Sequence, residues 1–184
     1  MRLLMHTCCA PCSVACIDEL QKEDKTPDLF FYNINIHPFI EYEKRLLTLR
    51  KFAEDSELKL FESGGYNLER FLRAVAQHPD DRCRFCYNDR MQQTAKYAAA
   101  NGYTHMTTTL LVSPYQDFEG ILEAGFNAAK SNGIIFLERD FRPYFRIGQQ
   151  KARDLGMYLQ AYCGCIYSEA ERYEKRRKKL VGSY

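Results

Sequence analysis

The segment RLLMHTCCAPCSVACIDELQK, residues 2–22, decides how the fold is read. Leu3 to His6 is a short run that reads as a buried strand. From Ser13 to Lys22 the apolar residues Val14, Ile17 and Leu20 recur at helical spacing. A strand, a tight break and a helix in that order make the first half of a βαβ unit. The break itself holds Cys8, Cys9 and Cys12, more thiols than a strand end needs.

The same alternation continues along the chain. Asp28 to Ile36, DLFFYNINI, is aromatic and β-branched and predicts a second strand, followed by a helix from Glu41 to Asp55. LKLFES predicts a third strand, closed by the Gly64-Gly65 turn. Helical spacing returns from Asn67 to Gln77, and after HPDD a long helix is expected from about Cys83 to Asn101, ended by Gly102. Thr104 to Val112 predicts a fourth strand, and Ser113-Pro114 starts a helix to about Ser131. Ile134 to Leu137 predicts a fifth strand, residues 144–155 a helix, and Glu169 to Leu180 a charged terminal helix. The expectation is one α/β domain over residues 1–184: a parallel sheet flanked by helices, with a helical insertion around 65–100 and a basic terminal helix or tail at about 169–184.

At 184 residues, 46% hydrophobic and 27% charged, the chain reads as a soluble globular protein. No apolar run approaches the ~20 residues a membrane span needs, and the start lacks the apolar core of a secretion signal. A cytoplasmic location follows as the expectation, and it governs the eight cysteines. In a reducing compartment, thiols grouped at 8, 9, 12 and 16, at 83 and 86, and at 163 and 165 point to metal rather than to disulfides. Open parallel sheets place their sites beyond the carboxyl ends of the strands, where the first group falls. Cys83 and Cys86 lie one helical turn apart, and Gly164 lets the chain turn tightly between Cys163 and Cys165. Cys16 reads as a small buried apolar residue, and Cys12 as ambiguous.

The residues alone leave three chemistries open. A four-thiolate zinc site needs two close pairs, which CxxC and CxC supply, but it leaves Cys8, Cys9 and Cys12 idle. A dithiol redox pair at a helix start leaves more idle still. An iron–sulfur cluster takes four thiolates, and the surplus suggests a second metal, although the spacing is not that of a ferredoxin. A net charge of +2 gives no global field for nucleic acid. Two local concentrations stand out: Lys44, Arg45, Arg50 and Lys51 on an expected helix, and Lys175, Arg176, Arg177, Lys178 and Lys179 near the end. Each reads by default as a solvated face.

Together, HTCCAPC, RCRFCYNDRM, TTTLLVSPYQ, RDFRP and YCGC, in this order from His6 to Ser168, resemble the metal-dependent, cobalamin-independent epoxyqueuosine reductase family. The resemblance implies an adenine-nucleotide hydrolase-like (HUP-like) α/β fold and an oxidoreductase of tRNA modification. The implied reaction removes the epoxide oxygen of epoxyqueuosine at the wobble position, giving queuosine and water for two electrons and two protons. It implies a [4Fe–4S] cluster beside one additional iron ion. Their ligands are expected among Cys8, Cys9, Cys83, Cys86, Cys163 and Cys165, with Asp140 as a carboxylate ligand and Asp81 and Asp89 as rivals.

On that resemblance the lone iron acts as Lewis acid on the epoxide oxygen, the cluster supplies electrons, and a nearby acid protonates the departing oxygen. Tyr115, Asp117 and His6 are the candidate acids, although His6 reads first as a structural hydrogen-bonding residue. Tyr115, Phe141, Tyr144 and Tyr162 are candidate platforms for an unstacked base. Arg142, Tyr144 and the basic block 175–179 are candidate tRNA contacts. Lacking a GxGxxG fingerprint, the chain is expected to draw on an external donor such as ferredoxin or flavodoxin. The rival class is a zinc-stabilised nucleic-acid binding protein without catalysis.

Overall fold

In the computed structural model, which describes residues 1–181, five parallel strands form one sheet in the order β3-β2-β1-β4-β5. The strands are β1 (Leu3–His6), β2 (Asp28–Phe31), β3 (Leu60–Glu62), β4 (His105–Thr108) and β5 (Ile135–Phe136). β1 is central: Met5 pairs with Leu29 on one side and with Thr107 on the other. The chain builds outward from β1 to β3, then crosses back to β4 on the opposite side. That reversal makes the carboxyl ends of β1 and β4 the switch point of the sheet.

The helices are α1 (Ala10–Gln21), α2 (Phe39–Asp55), α3 (Leu68–Val75), α4 (Arg82–Ala100), α5 (Phe118–Ser131), α6 (Phe145–Asp154), α7 (Ile166–Arg172) and α8 (Glu174–Val181). Strand alternation divides the core. Met5, Leu29 and Phe31 join the larger cluster with Ile17 and Leu20 of α1, and Leu4 and Phe30 join a smaller one with Ala98 of α4. Helix α6 lies tightly on α1 because Gly148 offers no side chain: a Cβ there would meet the Cβ of Ala15 at 2.8 Å. Among the described residues no helix is long and apolar enough to cross a membrane.

Several boundaries differ from the sequence reading, each for a local reason. α1 starts at Ala10, three residues earlier than expected, since Pro11 is favoured in a first turn. β2 stops at Phe31 rather than Ile36: Asn33 turns out of the ladder to donate its amide to Thr7 O at 2.8 Å. β4 stops at Thr108, whose Oγ1 accepts from Leu110 N and opens a 3-10 turn over Thr109–Val112. The helix expected from Ser113 begins at Phe118, capped by Asp117. The expected terminal helix is two helices, α7 and α8, with Tyr173 between them. The segment expected as an insertion around 65–100 forms the β3-to-β4 crossover, and its helix α4 packs on β1 and β4. Residues 182–184 of the expected basic tail lie outside the described residues.

Candidate metal centre

The first cysteine group sits at the switch point, stitched to both neighbouring strands. Thr7 N donates to Phe30 O of β2 at 2.8 Å, and Cys8 N donates to Thr109 Oγ1 at 3.2 Å just beyond β4. Cys9 is the N-cap of α1, and Cys12 comes one turn later. The three sulfurs of Cys8, Cys9 and Cys12 therefore converge within 4.8 Å of one another. Cys12, ambiguous in the sequence, stands with the other two. Cys16 is fully buried one turn on and donates to Cys12 O at 3.3 Å.

Ionisation in this group is shared. Hydrogen bonds from Cys12 and then Cys9, with the Thr109 hydroxyl and the Arg90 charge, hold the Cys8 thiol well below its usual value. The Cys12 thiol is pushed well up, first by its hydrogen bond to Cys8. Burial pushes Cys9 up. The three thiols thus share their hydrogen bonds at the amino end of α1.

The CxxC opens α4, with Cys83 exposed and Cys86 buried. Arg82 ties that helix start to α7, pairing with Glu171 and lying 5.5 Å over the Tyr167 ring. α7 is capped by Cys165, whose Sγ accepts from Ser168 N at 3.3 Å. The CxC turn is clamped from α2. Arg45, 1% exposed, donates to Cys163 O at 2.8 Å and Tyr162 O at 2.9 Å, and it pairs with buried Glu41 at 2.6 Å. Gly164 has φ +145°, a region side chains rarely adopt, and its carbonyl accepts from His37 N at 2.8 Å.

The CxxC and CxC thiols lie near one another. Burial pushes the Cys86 thiol up to about 12, Arg90 opposes that rise, and nearby Cys163, Cys165 and Cys83 add to it. Two amides reach thiols across the site: Gln116 Nε2 to Cys163 Sγ at 3.6 Å and Gln160 Nε2 to Cys12 Sγ at 3.5 Å. Three converging soft sulfurs, with amide donors on Cys12 and Cys163 and a guanidinium on Cys86, fit a thiolate-bound zinc or iron–sulfur centre far better than a hard-cation site.

The remaining candidates are placed as follows. His6 is buried, its Nδ1 at 2.9 Å from Thr108 Oγ1 and its Nε2 at 3.2 Å from Tyr32 O, and burial lowers its pKa to about 3. Asp140 is exposed and takes Arg142 Nη2 at 2.7 Å and Arg142 Nε at 2.9 Å, outside the group of converging sulfurs. The guanidinium of Arg142 also lies 3.9 Å over the Phe118 ring. Asp81 is exposed, and Asp89 is held by Tyr32 Oη at 3.0 Å and Arg70 at 2.5 Å. Asp117 caps α5 through Gly120 N at 3.1 Å, while Tyr115 stands 86% exposed.

Phe141 is fully buried in the core, which removes it as a base platform. Tyr162 donates to His37 O at 2.6 Å, and Tyr144 is half-buried with Lys22 Nζ 5.7 Å over its ring. Lys175, Arg176, Arg177, Lys178 and Lys179 are exposed on α8, with Lys178 paired to Glu174. Arg45 corrects the reading of its helix as a solvated basic face: Lys44, Arg50 and Lys51 do not share its burial. Sequence reasoning missed Arg45, Arg90, Gln116 and Gln160. Only Arg90 carried a signal, one helical turn past Cys86.

Fold and site together define a class: parallel α/β proteins with a cluster of buried thiols at the switch point of the sheet. Within it, the chain belongs to the epoxyqueuosine reductase QueH family, whose model matches residues 3–171. Epoxyqueuosine reductase QueH of Dehalococcoides mccartyi is 34% identical over 95% of this chain and 96% of its own. That of Thermotoga maritima is 33% identical over 94% of this chain and 93% of its own. Among solved structures, the U34-tRNA thiolase NcsA of Methanococcus maripaludis with its [4Fe-4S] cluster shares the fold, with a TM-score of 0.56 at 12% identity over 98% of this chain and 67% of that one. A deacetylase of teicoplanin biosynthesis shares it at a TM-score of 0.51 and 11% identity, over 100% of this chain and 95% of that one.

Proposed function

We propose that this chain reduces epoxyqueuosine to queuosine at the wobble position of tRNA, using metal bound by its clustered thiols. The observation that carries the reading is the convergence of the Cys8, Cys9 and Cys12 sulfurs at the switch point of a parallel sheet, in a member of this family. The overall reaction consumes two electrons and two protons, removes the epoxide oxygen as water, and leaves a ring double bond. When bound, a [4Fe–4S] cluster would supply electrons and a further iron would draw charge from the epoxide oxygen.

The residues assigned to hold these groups are Cys8, Cys9, Cys83, Cys86, Cys163 and Cys165, with Cys12 added by its position beside Cys8 and Cys9. Arg45 and Gly164 keep the CxC turn in place, and Gln116 and Gln160 donate toward sulfur. Asp140 is the carboxylate assigned to the further iron, a role that requires its pair with Arg142 to open. Exposed Tyr115 is a better proton donor than His6, whose two ring nitrogens are already engaged inside the fold.

The exposed cations of α8, joined to Cys165 through α7, are assigned to tRNA phosphates. Arg142 and Tyr144 are assigned to the same partner. Electrons are assigned to an external cytoplasmic carrier such as a ferredoxin or flavodoxin.

Protein purified without oxygen should be brown, contain iron and sulfide, and convert epoxyqueuosine-tRNA when given a reductant. Colourless, zinc-loaded protein that binds tRNA without turnover would replace this reading with that of a zinc-stabilised binding protein.

A further inference from the structure

We propose that Arg90 is a positioning residue of the thiol centre, holding Cys86 and supplying a fixed positive charge between the CxxC helix and the CC loop. The inference rests on reading the site as a metal–thiolate centre. Arg90 is 2% exposed, and its guanidinium stays charged at any physiological pH. A buried charge needs an opposite one. Arg45, equally buried, has Glu41. Among the described residues Arg90 has no carboxylate partner.

Its donors go elsewhere. Nη2 donates to Cys86 Sγ at 2.9 Å and Nε to Cys86 O at 3.3 Å, one turn back on α4. Nη1 donates to Asn33 Oδ1 at 3.5 Å. The Asn33 amide nitrogen is taken by Thr7 O, so its oxygen must face the guanidinium. Thr7 directly precedes Cys8, which links the CxxC helix to the CC loop.

A metal held by several thiolates gathers like charge, and each electron it accepts adds one more negative charge. A fixed cation donating to a ligand sulfur relieves both, strengthening metal binding and favouring the reduced state. Charge is the essential property of Arg90, and shape is secondary.

The test compares full-length wild type, Arg90→Gln and Arg90→Lys. Affinity for cobalt(II) is read by chelator competition through thiolate-to-cobalt absorption. After anaerobic reconstitution with iron and sulfide, the midpoint potential is read by a redox titration followed by electron paramagnetic resonance. Arg90→Gln should bind cobalt(II) about tenfold or more weakly and show a more negative midpoint, and Arg90→Lys should recover most of both. Wild-type values in Arg90→Gln, or Gln and Lys variants that behave alike, would overturn the proposal. If Arg90→Gln loses its far-ultraviolet circular dichroism, Asn33→Asp decides, because it sets a carboxylate against the guanidinium. Weaker cobalt binding then supports the proposal, and unchanged binding overturns it. A wild type that binds cobalt(II) but assembles no iron–sulfur centre sinks the functional reading alone, and the cobalt comparison still judges Arg90.

Discussion

Replacing Arg45 by Lys tests whether the CxC turn is held from α2. The guanidinium contacts Glu41 and, through two further bonds, the carbonyls of Tyr162 and Cys163. Lysine keeps a charge for Glu41 but lacks the planar fork that reaches both carbonyls. Hydrogen bonds from a charged donor contribute about 1.5–3 kcal/mol each, so losing two costs about 3 kcal/mol at the low end. For a domain of this size each kcal/mol shifts the melting temperature by roughly 2–4 °C, which predicts a fall of roughly 6–12 °C. Lysine is the informative choice, since an apolar replacement would also strand buried Glu41 and cost about 3–5 kcal/mol more. The assay is thermal unfolding of metal-free, reduced protein, paired with the rate at which Cys163 is alkylated. The variant should melt earlier and label faster. A melting temperature within about 2 °C of wild type, with unchanged labelling, would refute the clamp.

Gly164→Ala should weaken metal loading and stability together, by about 1–3 kcal/mol for the strained backbone, because its Cβ would also meet Ile36 Cγ1 at 3.1 Å and Arg45 Nη1 at 3.2 Å. Iron content and urea midpoint report the two effects. Cys12→Ser should reduce metal uptake, whereas Cys16→Ala, in the core, should leave metal content near wild type; metal analysis of both decides whether Cys12 belongs to the centre. Burial lowers the His37 pKa from 6.5 to about 4, so the unfolded chain takes up a proton that the folded chain resists. Stability from this group is complete above about pH 6.5 and declines as pH falls toward 4. His37→Phe, packed between Phe71 and Tyr66, should lose less stability than wild type between pH 7.5 and about 5 in urea titrations. Neutralising Lys175, Arg176, Arg177 and Lys179 should weaken tRNA binding and flatten its dependence on salt concentration, read by binding at several ionic strengths.

By itself the sequence determined the alternation of strands and helices, because periodicities of two and 3.6 residues are local properties of the chain. It also placed the cysteine groups at chain positions that suit a metal, and Gly164 where a tight turn was needed. Boundaries were less legible where side chains bond to the backbone. Asn33, Thr108 and Asp117 each end or start an element through one hydrogen bond to a neighbour, and no periodicity records that.

Only the tertiary structure decided which thiols meet. The sulfurs of Cys8, Cys9 and Cys12 meet at the switch point, and Arg90 and Asn33 link Cys86 to the same loop through the parallel crossovers, whose sheet order is a long-range property. The same packing turned Arg45 inward from a stretch that reads as a solvated basic face, and buried Arg90 beside Cys86 with no carboxylate partner among the described residues. It paired Asp140 with Arg142 on the surface and enclosed His6 between β4 and the end of β2. Burial and partner choice depend on what the rest of the chain stacks against a residue, so a cluster of thiols suited to metal was legible in the sequence while the charges that surround it were not.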